Sequence, residues 1–514
     1  MTTAGRSAPA ARRVAAARHA AIDLRGSLAL VGMLLKYLSL SSLLPIAFAV
    51  GYREDVLPFV AAGAIAAAVG WSLERGLGGA TSVGVREGYL VVALIWVAAA
   101  LYGALPFLLS GEPQLDRPFD ALFESMSGFT TTGATVVTNV DELDRSILIW
   151  RQFTQWLGGM GIIVLALAVL PRLRVGGRQL LESELPGPEI GELADRIRET
   201  VRRLWVLYVA LTAALFVLLT AIGFLGDDLM DPFDALGLSF STMPTGGFST
   251  QPRSIAEFGA AVHWVIALFM LLAGANFALL FRAFVRRQPG PAVRDEELRV
   301  YLALAVVASA VVTAEIWSEG FADGERAIRD GVFQSVSLMT TTGFWTFDYA
   351  GWPTLALLTL VALMFVGGCA GSAGGSVKVV RHVLMGKSLR RELRQTVHPE
   401  EVVPIRLNGR VLDERTIRAA TAFILLYVGI FVAGAGVIAV DTAFQGPDLA
   451  PLDVIAAAAG TLGNVGPGLG LAGPGGSYEP FSDVSTVTMT VLMWMGRLEV
   501  IPVVVLLTRR YWRV

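Results

Sequence analysis

Apolar residues gather into ten runs long enough to cross the ~30 Å hydrocarbon core of a bilayer as helices. They lie near Leu28–Val50, Val56–Leu73, Gly88–Leu109, Ile147–Leu170, Leu204–Phe224, Ala260–Phe284, Leu298–Trp317, Trp352–Val380, Ile417–Val440 and Val487–Leu507. The first two are joined by the short polar turn Gly51-Tyr-Arg-Glu-Asp55. The other eight form four pairs. Between the members of each pair lies a shorter apolar stretch that ends in a polar turn with glycine. Those turns are Phe129-Thr-Thr-Thr-Gly-Ala-Thr135, Pro244-Thr-Gly-Gly-Phe-Ser249, Thr340-Thr-Thr-Gly-Phe344 and Leu462-Gly-Asn-Val-Gly-Pro-Gly468. Thirteen residues before Gly133, Gly247, Gly343 and Gly466 stand Asp120, Asp234, Asp330 and Asp453. Such register across four copies is an internal repeat.

With the aspartate as N-cap, each short stretch predicts a helix of about ten to twelve residues, roughly 16 Å long at 1.5 Å per residue. That is about half the hydrocarbon thickness, enough to dip in and not to cross. Backbone leaves helical form at mid-depth only where protein buries it or it lines a watery cavity. Glycine permits positive φ, so the four turns can aim successive carbonyls at one axis. The helix C-termini add partial negative charge at the same place. This is the chemistry of a pore for a cation stripped of water. The candidate ion-binding residues are Thr131, Thr132 and Gly133; Thr245, Gly246 and Gly247; Thr341, Thr342 and Gly343; Asn464, Val465 and Gly466.

The expected fold is an all-α polytopic membrane protein: four helix–re-entrant pore loop–helix repeats in pseudo-fourfold arrangement plus two leading transmembrane helices. Its segments are an N-terminal cytoplasmic stretch (1–26), the leading pair (27–80), repeat one (81–175), an amphipathic linker (176–203), repeat two (204–288), repeat three (289–383), a second linker (384–416) and repeat four (417–514). Basic residues cluster at Arg12–Arg18, Arg172–Arg178, Arg282–Arg287, Lys378–Arg394 and Arg509–Arg513. All fall on one side of a ten-span arrangement, which the positive-inside rule makes the cytoplasm. The opposite loops lean acidic, with Glu112, Asp116, Asp141, Asp227, Asp228 and Glu319 among them. An acidic vestibule would raise the local cation concentration. The polar stretches Pro186–Arg203 and Gly386–Arg415 are candidate docking surfaces for a cytosolic partner.

Composition narrows the alternatives. Hydrophobic residues make 54% of the chain and mean hydropathy is +0.60, outside the range of ordinary soluble domains. No basic domain points to nucleic acid. The single Cys369 excludes an intramolecular disulfide framework. Four histidines, His19, His263, His382 and His398, show no metal-ligand spacing. Gly386-Lys-Ser388 resembles the end of a P-loop, but Arg381 stands where its first glycine belongs. No enzyme and no cofactor in this chain are expected. A cleavable signal peptide is not expected either, because the first apolar run is long enough to span.

One run is unlike the others. Gly367-Gly-Cys-Ala-Gly-Ser-Ala-Gly-Gly375 interrupts the Trp352–Val380 span. Glycine costs about 1 kcal/mol against alanine in a helix interior, so the span is expected to break there. The break is expected in this repeat only, as a movable plug; close helix packing through small residues is the alternative.

Taken together, the four Thr/Gly loops, the Gly367–Gly375 break running into Val377-Lys-Val-Val-Arg381, and Gly496-Arg-Leu-Glu499 resemble the Trk/Ktr/HKT potassium transporter superfamily. The leading helix pair makes the chain similar to a Trk-type membrane subunit. The resemblance implies K⁺ as the substrate ion, a homodimer in the inner (plasma) membrane among membrane lipid, and a cytosolic ring of nucleotide-binding, TrkA-like regulatory subunits. It implies Gly133, Gly247, Gly343 and Gly466 as filter glycines. It also implies Gly367, Gly368, Gly371, Gly374 and Gly375 as the gating loop, with Arg497 as the positive charge below the filter. The rival reading is a secondary transporter with discontinuous helices, which would carry one or two broken elements in inverted halves.

Overall fold

The computed structural model describes residues 22–78, 84–169, 190–226, 229–445 and 449–513. Arg12–Arg18, Arg172–Arg178, Asp227, Asp228 and the first residues of the Pro186–Arg203 stretch lie outside the described residues. The leading pair is α1 (Leu24–Leu38), which runs through a 3-10 turn into α2 (Leu43–Tyr52), and α3 (Leu57–Leu77), which returns beside them. Glycines bring α1 and α3 together: a Cβ at Gly32 would lie 2.7 Å from the Gly70 carbonyl oxygen. Lys36 and Glu74 form an ion pair across that contact, which keeps two charges tolerable among apolar helices.

Four segments of common plan follow, each with a long helix, a short one and a long or broken one. The first has α4 (Val85–Leu109), α5 (Pro118–Phe129) and α6 (Arg145–Val169). The second has α7 (Ile190–Leu225), α8 (Pro232–Thr242), α9 (Ala260–Ala273) and α10 (Phe277–Leu280), with α11 (Gly290–Arg294) as a connector. The third has α12 (Glu296–Ser318), α13 (Gly324–Met339), α14 (Thr354–Met364) and α15 (Val379–Val397). A hairpin of β1 (Arg406–Leu407) and β2 (Arg410–Val411) precedes the fourth, which has α16 (Glu414–Gln445), α17 (Pro451–Leu462), α18 (Asp483–Arg497), α19 (Ile501–Leu507) and α20 (Arg509–Trp512).

Among the described residues six helices are long and apolar enough to cross a membrane, and two bent pairs raise the number to eight. The helix α6 and the interrupted α14–α15 account for the other two apolar runs. Large apolar side chains such as Val306 and Val307 on α12 and Leu425 and Val432 on α16 face outward, as lipid-facing surfaces require.

Three expectations are corrected. The aspartates are not N-caps: Asp120, Asp234 and Asp453 are the third residues of α5, α8 and α17, and Asp330 is the seventh of α13. Pro118, Pro232 and Pro451 occupy the first helical position, where a missing N–H costs nothing, so these helices begin before the acid. Lacking that proline, α13 starts earlier and has 16 residues. The break is not confined to the third segment, since α9 bends 104° into the helix after it and α18 bends 116° into α19. The charged stretch from Ile190 is no separate linker helix: no proline interrupts it, and it continues into the apolar span as the 36 residues of α7.

Candidate functional site

The four short helices end alike. In each, a residue with left-handed backbone follows the last turn: Thr131 (φ 54°), Thr245 (57°), Thr341 (60°) and Asn464 (51°). The next residue's N–H reaches back five positions. Thr132 donates to Ser127 O at 2.8 Å, Gly246 to Ser241 O at 2.7 Å, Thr342 to Ser337 O at 2.8 Å and Val465 to Gly460 O at 2.8 Å. This is a Schellman closure, built with threonine or asparagine where glycine is usual. A non-glycine residue held at positive φ costs of order 1–3 kcal/mol. The turn spends that energy to keep a side chain there. Thr341 Oγ1 accepts from Gly375 N at 2.8 Å, and Asn464 Nδ2 donates to Thr132 Oγ1 at 2.9 Å.

One residue later comes the glycine, again with positive φ: 81° at Gly133, 81° at Gly247, 84° at Gly343 and 98° at Gly466. Here space decides as well as conformation. A Cβ on Gly133 would lie 2.2 Å from the carbonyl oxygen of Gly246, and one on Gly247 2.0 Å from that of Thr342. One on Gly343 would lie 2.2 Å from the oxygen of Val465, and one on Gly466 2.6 Å from that of Thr132. Each glycine thus abuts the carbonyl of the next loop, and the fourth closes on the first. All twelve sequence-predicted residues of the loops are brought together in this ring. A cavity of about 100 Å³ sits against it, lined by Gly133, Gly247, Gly343, Phe248, Trp345 and Arg151, among others.

The glycine run lies against another side of the same loops. Between Met364 and Val379 the chain is not helical. Gly367 and Gly371 take φ of 77° and 74°. A Cβ on Gly374 would lie 3.1 Å from Thr340 O, and one on Gly375 2.5 Å from Gly463 O. Backbone bonds tie the run to the bend after α9: Cys369 N donates to Gly274 O at 2.8 Å and Phe277 N to Gly371 O at 3.1 Å. A Cβ on Gly368 would lie 2.8 Å from that same Gly274 oxygen. The Glu297 carboxylate of α12 accepts from Ala370 N at 2.6 Å. Arg497, buried at the end of α18, donates to Ala373 O and to Gly158 O, each at 3.0 Å. Glu499, in the bend that follows, pairs with Lys378 at 3.5 Å and with Arg381.

A model of the TrkH family, described as "Cation transport protein", matches residues 57–513. The chain belongs to the TrkH family. The Trk system potassium uptake protein TrkH of Salmonella typhimurium is 38% identical over 492 residues, covering 94% of this chain and 98% of its own. That of Vibrio parahaemolyticus is 37% identical over 502 residues, 96% of this chain and 100% of the other. Escherichia coli TrkG is 33% identical, with 94% and 97% covered. The crystal structure of the potassium transporter TrkH from Vibrio parahaemolyticus aligns with a TM-score of 0.84 at 35% identity, covering 96% of this chain and 100% of that one.

In this TrkH-family chain the sequence reading missed the groups that hold the loops from behind. Gln155 of α6 donates Nε2 to Gly246 O at 2.7 Å and accepts from Phe248 N at 3.2 Å. Tyr478 donates to Gly466 O at 2.7 Å. Asp330 accepts from Thr346 Oγ1 at 3.0 Å, and Asp234 accepts from Gln251 Nε2 at 3.2 Å, so two of the repeated aspartates fasten the limb that leaves the glycine. In the first segment Glu124, one turn after Asp120, accepts from Val136 N at 3.0 Å and pairs with Arg151 at 2.7 Å. A charge inside an otherwise uncharged apolar run is the sequence signal that marks both Glu124 and Arg151.

Proposed function

We propose that this chain carries out potassium uptake across the inner (plasma) membrane, with the four glycine loops as its selectivity filter. The observation that carries the reading is the closed ring in which Gly133, Gly247, Gly343 and Gly466 each meet a carbonyl of the next loop. Four helix C-termini converge on that ring, adding fixed negative potential where a dehydrated cation needs it. The relatives' names, potassium uptake proteins of a Trk system, agree with this ion. Four loops of one build also argue against a transporter with one or two broken helices in inverted halves.

The glycine run Gly367–Gly375 is the gate in this reading, and Arg497 is the positive charge that opposes a cation leaving the filter. The basic ends of the spans face the cytoplasm. The working assembly is a homodimer controlled by a cytosolic ring of nucleotide-binding subunits.

The test is flux. In liposomes with an imposed inside-negative potential the chain should take up ⁸⁶Rb⁺, with K⁺ competing strongly and Na⁺ weakly. Equal competition by both ions, unmoved by substitution at any of the four glycines, would overturn the reading.

A further inference from the structure

Glu124 and Arg151 form the most deeply buried ion pair among the described residues, with side chains 0% and 2% exposed. Arg151 Nε donates to Glu124 Oε1 at 2.8 Å. Thr135 Oγ1, two residues beyond Gly133, donates to the same oxygen at 3.0 Å and accepts from Arg151 Nη2 at 3.0 Å. The other carboxylate oxygen takes the N–H of Val136. On its far side the guanidinium lies 4.4 Å from the ring centre of Phe248, the residue after Gly247. Its Nη1 is buried with no hydrogen-bond partner, and Arg151 lines the cavity over the glycine ring. The matching positions of the other segments hold Leu238, Gln334 and Ala457, so only the first segment places a carboxylate here, one turn after the repeated aspartate.

We infer that the Glu124–Arg151 pair is a positioning device for ion discrimination, locking the limb that leaves Gly133 to the limb that leaves Gly247. The inference rests on the filter reading above. A buried carboxylate that accepts from a guanidinium, a hydroxyl and a backbone N–H leaves the first loop little freedom to rotate its carbonyls. The guanidinium face on Phe248 extends that restraint to the second loop. Paired, the two side chains add no net charge beside the cavity. Without Glu124, Arg151 becomes an unbalanced cation beside the cavity that an entering cation crosses. The two halves of the pair therefore have different consequences when removed, which a purely structural role would not produce.

The experiment uses the full chain in liposomes and measures ⁸⁶Rb⁺ uptake, its KM and Vmax, and Na⁺ competition. Glu124→Gln and Arg151→Gln should each weaken K⁺ over Na⁺ discrimination by about tenfold, the scale of losing a hydrogen bond to a charged group. Only Glu124→Gln should also raise the KM for Rb⁺. Thr135→Val, which removes one hydroxyl and no charge, should also weaken discrimination by about tenfold, because the bonds it loses run to charged groups. It decides the matter if the charge variants do not fold. Folded variants that discriminate as the unmodified chain does, or that change KM equally, would overturn the inference. Gly133→Ser is measured alongside. If it shifts discrimination while the pair variants do not, the positioning role alone fails; if it too is silent, the filter reading fails.

Discussion

The glycine loops and the glycine run sit against each other, yet they are held in opposite ways. Each loop is closed first by its own helix, through hydrogen bonds that span six residues or fewer, and only then backed by side chains such as Gln155, Tyr478 and Glu124. The run from Gly367 to Gly375 is held by other elements: the bend after α9, Glu297 of α12, Thr341 of the third loop and Arg497 of α18. A locally closed turn stays put when its neighbours shift. A segment fastened mainly from outside is loosened when a fastening element moves. In the proposed reading the first property suits a filter that compares ions by fractions of an ångström, and the second a gate that must adopt two states.

The sharpest way to break this comparison is at a glycine. Gly133→Ser places a Cβ 2.2 Å from the Gly246 carbonyl and should reduce K⁺ preference over Na⁺ by at least about tenfold, since 1.4 kcal/mol of differential strain suffices. Competition flux in liposomes measures it. Removing residues 371–374 should leave discrimination intact and raise basal ⁸⁶Rb⁺ uptake, again by about tenfold, because two or more restraining hydrogen bonds go at once. Uptake at or below the unmodified level would make the run a packing device. Arg497→Ala should raise basal uptake less, roughly fivefold, because Gly274 and Glu297 still hold the run and the one bond lost to it is worth about 1 kcal/mol or more. The smallest effect on transport is expected at Asp330→Ala, which loses the Thr346 bond and the flanking Arg326 and Arg329 contacts and should cost about 1.5–3 kcal/mol of stability. A lowered melting midpoint with near-normal selectivity is the expected outcome; normal melting with lost selectivity would make the carboxylate an ion ligand.

The loops were legible in the sequence because their determinants are local. A Schellman closure and a positive-φ glycine are specified within seven residues, and four copies in register multiply a weak signal. The role of the aspartates was misread for a local reason too: a proline two positions before Asp120, Asp234 and Asp453 moves the helix start, and Asp330 lies in a helix that begins at Gly324. What stayed hidden depends on distance. Glu124 meets Arg151 across 27 residues and Arg497 meets Ala373 across 124, separations that no periodicity encodes. The bend at Asn276 could have been found, because its side chain caps α10 by accepting from Ala278 N and Leu279 N. The bend at Glu499 has no such mark: an acid among apolar residues is explained only once Lys378 and Arg381 lie beside it.

The seam between the first and last segments has a consequence for how the protein is made. Asn464 bonds Thr132 across 332 residues, Tyr478 N donates to Thr135 O, and Trp494 donates to Ala93 O across 401. At synthesis rates of ~5–20 residues per second, Thr132 waits on the order of tens of seconds for the asparagine that completes its loop. Until then the ring has three sides. A ribosome that stalls within the third segment leaves a membrane protein whose ring of loops cannot close, and whose first loop keeps an exposed edge. Quality control of this protein is thus a question of whether one asparagine has arrived.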